Sequence, residues 1–119
     1  MAHLCVVLLH STDEPDLAVA GLDAAAAAVR SGRKAVLYLA VEGVRMGVKG
    51  VAEALSGFGR PDLKAILDGF LAGGGRVMLS EPCFRARGFE KGAVVLGASV
   101  VEPEALSALV EEGYATVSF

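Results

Sequence analysis

A thiol and two cations occur together in one short segment of the chain. Residues 80–88 read SEPCFRARG and include the end of an apolar run that predicts a strand. Pro82 is typical of the first turn of a helix, where free backbone N–H groups favour a negative charge. The guanidinium groups of Arg85 and Arg87 would add to this effect and favour a thiolate on Cys83. The segment indicates either a reactive cysteine or a small apolar side chain beneath a loop.

Other candidate polar residues lie where predicted strands end. His10 and Ser11 follow the first apolar run, and Ser80 ends the third. Ligands of open parallel sheets bind beyond the carboxyl ends of the strands, so a site is expected at this edge. His10 could act as a base or bind a ligand, although a single histidine at a strand end is more often only hydrogen-bonded. Cys5 lies inside an apolar strand and is expected to be an inert packing residue.

Neither a metal nor a cofactor is predicted. No Ser/His/Asp order, no paired carboxylates at a shared site and no His/Cys metal spacing stand out in the sequence. Gly43, Gly47 and Gly50 match neither the dinucleotide fingerprint nor the P-loop motif, and we interpret them as close-packing positions. A binder of a small ligand or nucleotide at the strand ends is an alternative that rests on fold analogy alone.

Composition limits the classes of partner. The 119 residues carry a net charge of −3 with no run of either sign, which predicts no nucleic-acid partner and no membrane surface. The longest stretch without a charged residue, 1–12, is shorter than the roughly 18 apolar residues of a membrane-spanning helix. No basic residue precedes it as in a signal peptide. We therefore expect a single cytoplasmic domain over residues 1–119, with no disulfide framework.

Strands and helices alternate along the chain. Apolar runs predict strands at 4–9, 35–40, 76–80 and 114–119, and the short apolar run 93–96 is the remaining candidate. One helix is predicted over 15–31, and the helical spacing of Val44, Val48, Val51 and Leu55 predicts a second. Two further helices are predicted to begin at Pro61 and at Pro103. Alternating elements with short connections predict an α/β fold with a parallel sheet.

The first predicted helix has apolar residues on two neighbouring faces. They are Leu17, Gly21, Ala24 and Ala28 on one face, and Ala18, Leu22, Ala25 and Val29 on the other. One face could pack on the helix's own sheet and the other on a second subunit. The mean hydropathy of +0.55 is also high for so small a monomer, and together these features predict a homo-oligomer.

Four stretches of the sequence form a recognisable pattern; they are VVLLHS followed by the helix from Pro15, LYLAVEGVRMGVKGVAEAL, GGGRVMLSEPCFRARGF, and the ending ATVSF. Together they resemble the DsrE/DsrF-like family of small sulfur-relay proteins. The resemblance covers nearly the whole chain. It implies a three-layer α/β/α fold with a five-stranded parallel sheet, assembled as dimers, trimers or hexamers. It also implies a cysteine near the end of the third strand that holds a persulfide and passes it between donor and acceptor proteins, often towards tRNA thiolation or sulfur oxidation.

The family motif does not match this sequence at every position. Its carrier cysteine falls eight residues before the glycine matched by Gly88, and that position is Ser80 here. A serine hydroxyl cannot hold a persulfide, so the resemblance assigns any carrier role to Cys83, about one helical turn further on. Arg85 and Arg87 would then stabilise the anion. The remaining binding residues would be His10, Ser11 and Ser80. The alternative is a non-catalytic oligomeric binding or assembly module of the same fold that lacks the usual carrier cysteine.

Overall fold

The computed structural model describes residues 3–119 as a parallel sheet with helices on both faces. Its strands are β1 His3–Leu8, β2 Ala35–Leu39, β3 Arg76–Ser80, β4 Ala98–Val101 and β5 Tyr114–Ser118. Its α-helices are α1 Pro15–Arg30, α2 Val51–Leu55, α3 Leu63–Ala72, α4 Glu81–Ala86 and α5 Glu104–Glu111, and 3₁₀ helices span Val41–Gly47 and Lys91–Ala93. The five strands lie in the order β4-β3-β2-β1-β5, and every pair is parallel. The predicted three-layer α/β/α architecture is confirmed.

The two faces of the sheet are covered unequally. Strand side chains alternate between them, so Leu37 and Leu39 join the larger core beneath α1 and α3, while Val36 and Tyr38 join the smaller core beneath α5. Helix α5 has eight residues against sixteen in α1. Several apolar side chains on the α5 side therefore stay partly exposed; they are Val7, Ala40, Met78, Val101 and Leu106.

Most of both apolar faces of α1 is covered within the chain. The face that carries Leu22 and Val29 packs on the larger core and beside α3, where a side chain on Gly73 would meet Val29 Cγ1 at 2.7 Å. On the other face, Ala28 is 4% exposed, whereas Leu17 is 37% exposed. Neither face therefore requires a second subunit. Within residues 3–119, no helix combines the length and apolar character needed to cross a bilayer.

The predicted helix through Val44 and Leu55 is interrupted. A 3₁₀ helix ends at Gly47, and Val48 is extended, with φ −95° and ψ 133°, before α2 begins. Gly47 lies directly on β3, because an added Cβ would come within 2.6 Å of Leu79. The close-packing interpretation is confirmed for this glycine and was wrong for Gly50, which has open space around it and a φ of +92°.

The fourth strand, β4, begins later in the sequence than the apolar run 93–96, which we predicted as a strand. The backbone at Val94 instead forms an antiparallel bridge with Val48, and the Val95 N–H donates to the Gly47 carbonyl at 2.9 Å. Gly97, at φ +93°, then turns the chain into β4. Because β4 is an edge strand, the mixed sequence ASVV is sufficient there. In the preceding apolar run, Val94 and Val95 pack in the larger core, whereas Leu96 is 95% exposed.

Candidate functional site

Cys83 lies at the carboxyl edge of the sheet, on the short helix α4. The helix begins directly after β3, with Ser80 as its N-cap residue and a proline in its first turn. Phe84 is 3% exposed and anchors α4 in the larger core. Cys83 packs against the margin of that core and remains partly exposed. The structure thus places the thiol at the predicted edge, neither fully enclosed nor fully in solvent.

The two guanidinium groups predicted beside the thiol have other hydrogen-bond partners. Arg87 Nε donates to Glu42 Oε2 at 2.6 Å, and its Nη1 donates to the backbone carbonyl of Cys83 at 3.0 Å. Arg85 Nε lies 3.0 Å from Glu81 Oε1, and its side chain is 74% exposed. Arg87 therefore holds the backbone of the cysteine, whereas Arg85 stands at the surface in a pair that solvent weakens.

Glu42 connects three elements at this edge. Its carboxylate accepts hydrogen bonds from Arg87 and from Arg45, whose Nε lies 2.9 Å from Oε1. Its backbone carbonyl accepts a 2.8 Å hydrogen bond from the hydroxyl of Ser11, which is completely buried. The guanidinium of Arg87, followed by that of Arg45, lowers the pKa of Glu42 below its ordinary value. Ser11 is thus a structural anchor that ties the end of β1 to Glu42.

Sequence reasoning did not single out Glu42 and Arg45. The available signal was modest: Glu42 follows β2 at the edge where a site was expected, and Arg45 stands three residues later, a spacing that brings side chains together on a helix. The contact with Arg87 spans 45 positions of sequence, and no local pattern encodes it.

The backbone around Glu42 is held in an unusual conformation. Val41 has φ +54°, which a β-branched side chain rarely adopts. Gly43 approaches the end of β1 so closely that an added Cβ would stand 1.9 Å from the Leu8 carbonyl oxygen. Strain of this kind persists only where surrounding contacts fix the chain. The contacts of Glu42 and Gly43 are the ones that fix it here.

His10 is paired with Asp13 in the loop after β1. Its Nδ1 lies 2.7 Å from Asp13 Oδ2, and the Ser11 N–H donates to Asp13 Oδ1 at 2.9 Å. The hydrogen bond from His10 is the main cause that lowers the pKa of Asp13. The structure thus gives His10 a local role in ordering the loop after β1.

The two cysteines lie in different environments. Cys5 is fully buried on the α5 side of the sheet, and burial raises the pKa of its thiol to about 11. The prediction of a packing role for Cys5 is confirmed. Burial also raises the pKa of Tyr38, which is 5% exposed and belongs to the same small core as Cys5.

This arrangement can support thiol chemistry at Cys83. Cys83 is partly exposed, while its helix is fixed to the 3₁₀ helix Val41–Gly47 through Arg87 and Glu42. Within the described part of the chain, no three His, Cys, Asp or Glu side chains are grouped so that they could hold a metal ion. Of the side chains at this edge, a cysteine thiol is intrinsically the strongest nucleophile.

The fold defines a class of small α/β proteins with a five-stranded, all-parallel sheet. Among solved structures, the chain is similar to the YchN protein from E. coli, with a TM-score of 0.84 and 17% identity over 100% of both chains. A protein of unknown function from Methanobacterium thermoautotrophicum has a TM-score of 0.71 and 16% identity, over 98% of this chain and 99% of that one. A conserved protein of unknown function from Bacteroides thetaiotaomicron has a TM-score of 0.69 and 13% identity, over 97% of this chain and 93% of that one. In sequence, the chain matches no profile of a known protein family and no curated protein.

Proposed function

We propose that this protein is a DsrE/DsrF-like sulfur carrier in which Cys83 holds a persulfide. The observation that carries the proposal is the difference in exposure among three positions. Cys83 is partly exposed at the carboxyl edge, Cys5 is fully buried, and Ser80, at the position of the usual carrier, is 6% exposed. A sulfur that passes between proteins must be reached by a partner, and Cys83 meets this requirement.

The reaction is a thiol–persulfide exchange. The thiolate of Cys83 attacks the terminal sulfur of a donor persulfide, the donor's S–S bond breaks, and the donor thiolate leaves with the electron pair. A new S–S bond then joins the transferred sulfur to Cys83. The acceptor's thiolate later attacks that same sulfur and releases Cys83 as a thiolate. Each step exchanges one S–S bond for another, so no external oxidant or reductant takes part.

Arg87 and Arg85 have different parts in this proposal. Arg87 is a positioning residue, since its contacts with Glu42 and with the Cys83 carbonyl fix the orientation of α4. Arg85 is 74% exposed and paired to Glu81 within its own helix. Because so exposed an ion pair contributes little stability, Arg85 can exchange Glu81 for another anion at little cost in free energy. Its guanidinium is thus available to an incoming persulfide anion.

Intact-mass measurement after exposure to a persulfide donor tests the proposal. We expect a gain of about 32 Da, the mass of one sulfur atom, in the unmodified chain and in Cys5→Ala, and no gain in Cys83→Ala. The Cys5→Ala variant is the matched control, because it removes the other thiol while leaving Cys83 in place. A gain that persists in Cys83→Ala, or no gain in any chain, would contradict the assignment.

The second candidate function is a non-catalytic binding or assembly module. The serine at position 80, where the usual carrier cysteine stands, favours it. In that case Cys83 is a packing residue at the margin of the core, and the mass experiment gives no adduct at Cys83.

In either case we propose a homo-oligomer formed through the α5 side of the sheet. Helix α5 leaves the apolar side chains of Val7, Met78 and Val101 partly exposed on that side. A second copy of the chain would remove this apolar surface from water, which is the driving force of association. The surface replaces the second face of α1 as the basis for the oligomer.

A further inference from the structure

A cavity of about 590 Å³ lies at the opposite edge of the sheet, where the strands begin. Its chief polar lining residues are His3, Lys34, Arg76, Glu112 and Tyr114. Four of them stand at or next to the first residues of β1, β2, β3 and β5, and Glu112 follows the last residue of α5. Cys83 and the Glu42 network lie at the other end of the strands, so this cavity is distinct from the proposed carrier site.

The cavity combines two cations that have no ion-pair partner among residues 3–119. Neither Lys34 nor Arg76 has a carboxylate within 4.0 Å there, whereas Arg45, Arg85 and Arg87 each do. Glu112 also lines the cavity, and α5 ends next to it. The carboxyl end of a helix and a carboxylate both oppose an anion, but two full positive charges outweigh them.

One of the polar side chains that line the cavity is oriented by a hydrogen bond, and another has a ring nitrogen without a partner among the described residues. Arg76 Nη2 donates to the Tyr114 hydroxyl at 3.2 Å, which orients the guanidinium. The His3 ring lies against that of Tyr114, with centroids 5.1 Å apart. His3 Nδ1 is buried and has no hydrogen-bond partner among the described residues, a state that polar atoms in folded proteins rarely keep.

We propose that this cavity binds a small organic molecule with an oxyanion head group, either a phosphate ester or a carboxylate. The guanidinium of Arg76 and the ammonium of Lys34 supply the charge-assisted hydrogen bonds that such a group requires. The volume exceeds that of an inorganic ion and falls in the range of small-molecule pockets. Glu112 accepts a hydrogen bond from a hydroxyl or amino group of the ligand.

The imidazole NMR signals provide a direct test, because the chain has two histidines. His3 lines the cavity, and His10 lies at the other end of β1. The protein is titrated separately with inorganic phosphate, glycerol 3-phosphate and succinate, at constant pH and ionic strength. We expect the His3 signals to shift with saturation and the His10 signals to stay in place. Tighter binding of glycerol 3-phosphate than of succinate identifies a phosphate ester, and the reverse order identifies a carboxylate.

Variants that remove one positive charge distinguish a specific binding site from general electrostatic attraction of the anionic probe. Lys34→Gln and Arg76→Gln should each weaken binding by at least about tenfold, because each removes a charge-assisted hydrogen bond. Arg33→Gln removes the same charge next to Lys34 from a residue that does not line the cavity, so it should bind nearly as well as the unmodified chain. All three side chains are exposed, and the fold should tolerate their loss. The proposal is overturned if none of the three probes gives a saturable His3 shift, or if Arg33→Gln weakens binding as much as the other two.

Discussion

Glu42 and Arg87 are joined by a 2.6 Å hydrogen bond between Oε2 and Nε, although 45 positions separate them in sequence. This bond connects the loop after β2 to the end of the helix that carries Cys83. The same guanidinium reaches the Cys83 carbonyl. The position of the thiol therefore depends on a carboxylate that does not touch it.

Replacing Glu42 by glutamine should lower stability in a pH-dependent way. The pKa of Glu42 in the folded chain is below its ordinary value of 4.5, chiefly because of Arg87, so its charge stabilises the fold above pH 4.5. This contribution is lost as the pH falls through the lowered pKa. The difference in Tm between the unmodified chain and Glu42→Gln should thus be largest near neutral pH and shrink in acid. As a control, Glu81→Gln should change Tm little, because its partner Arg85 is 74% exposed. A Tm difference for Glu42→Gln that does not depend on pH would contradict the role given to its charge.

Alanine at Gly43 should destabilise the fold strongly. The added Cβ would meet the Leu8 carbonyl oxygen at 1.9 Å, and a backbone atom cannot move aside as a flexible side chain can. We expect a loss of about 3 kcal/mol, measured by urea unfolding. Gly69→Ala is the matched control, since Gly69 lies inside α3 with no atom near its added Cβ. That substitution should stabilise the chain by about 0.5–1 kcal/mol through helix propensity. Equal effects of the two substitutions would refute the close approach of Gly43 to β1.

Alkylation should distinguish the two cysteines in the native chain. With iodoacetamide at pH 8, we expect modification of Cys83 and protection of Cys5, which is fully buried and has a pKa raised by burial to about 11. Peptide mapping locates the label, and the same reaction in urea should label both residues. Equal labelling rates in the native chain would mean that Cys5 is accessible, contrary to the structure.

A charge on the α5 side of the sheet should break the proposed oligomer. Met78→Glu places a carboxylate in the partly exposed apolar surface beside Tyr38. Sedimentation should then give the monomer mass of 12.2 kDa, while the unmodified chain should give a multiple of it. Leu96→Glu is the control, because Leu96 is 95% exposed on a loop before β4. If the unmodified chain sediments as a monomer at micromolar concentration, the oligomer proposal fails.

The sequence predicted most of the fold because its strongest signals are local. The buried strands β1, β2 and β3 are continuous apolar runs in the sequence. Pro15 and Gly32 predicted a helix over 15–31, and the observed end of α1 differs from this by one residue. The errors came from tertiary contacts that override local pattern. The helical spacing of Val44 and Val48 was real, yet the fit of Gly47 against Leu79 interrupts that helix. The edge strand β4 needed little apolar character and so gave a weak signal.

The candidate site was less predictable than the fold. The topology of a parallel sheet was sufficient to place Cys83 and Ser80 at one edge, since both follow the end of β3. The partners of Arg85 and Arg87 depend on side-chain geometry that spacing does not encode. The sequence did not predict the cavity with Lys34 and Arg76, because its residues come from the starts of separate strands and no local pattern links them.

The carrier role of Cys83 is decided by whether the protein passes sulfur on to an acceptor. The chain is loaded from a persulfide donor, freed of donor, and mixed with a thiol acceptor. We predict that it loses about 32 Da while the acceptor gains one sulfur per chain, and that Cys83→Ser transfers none. A loaded sulfur that stays on the protein, or equal transfer by Cys83→Ser, would contradict the account.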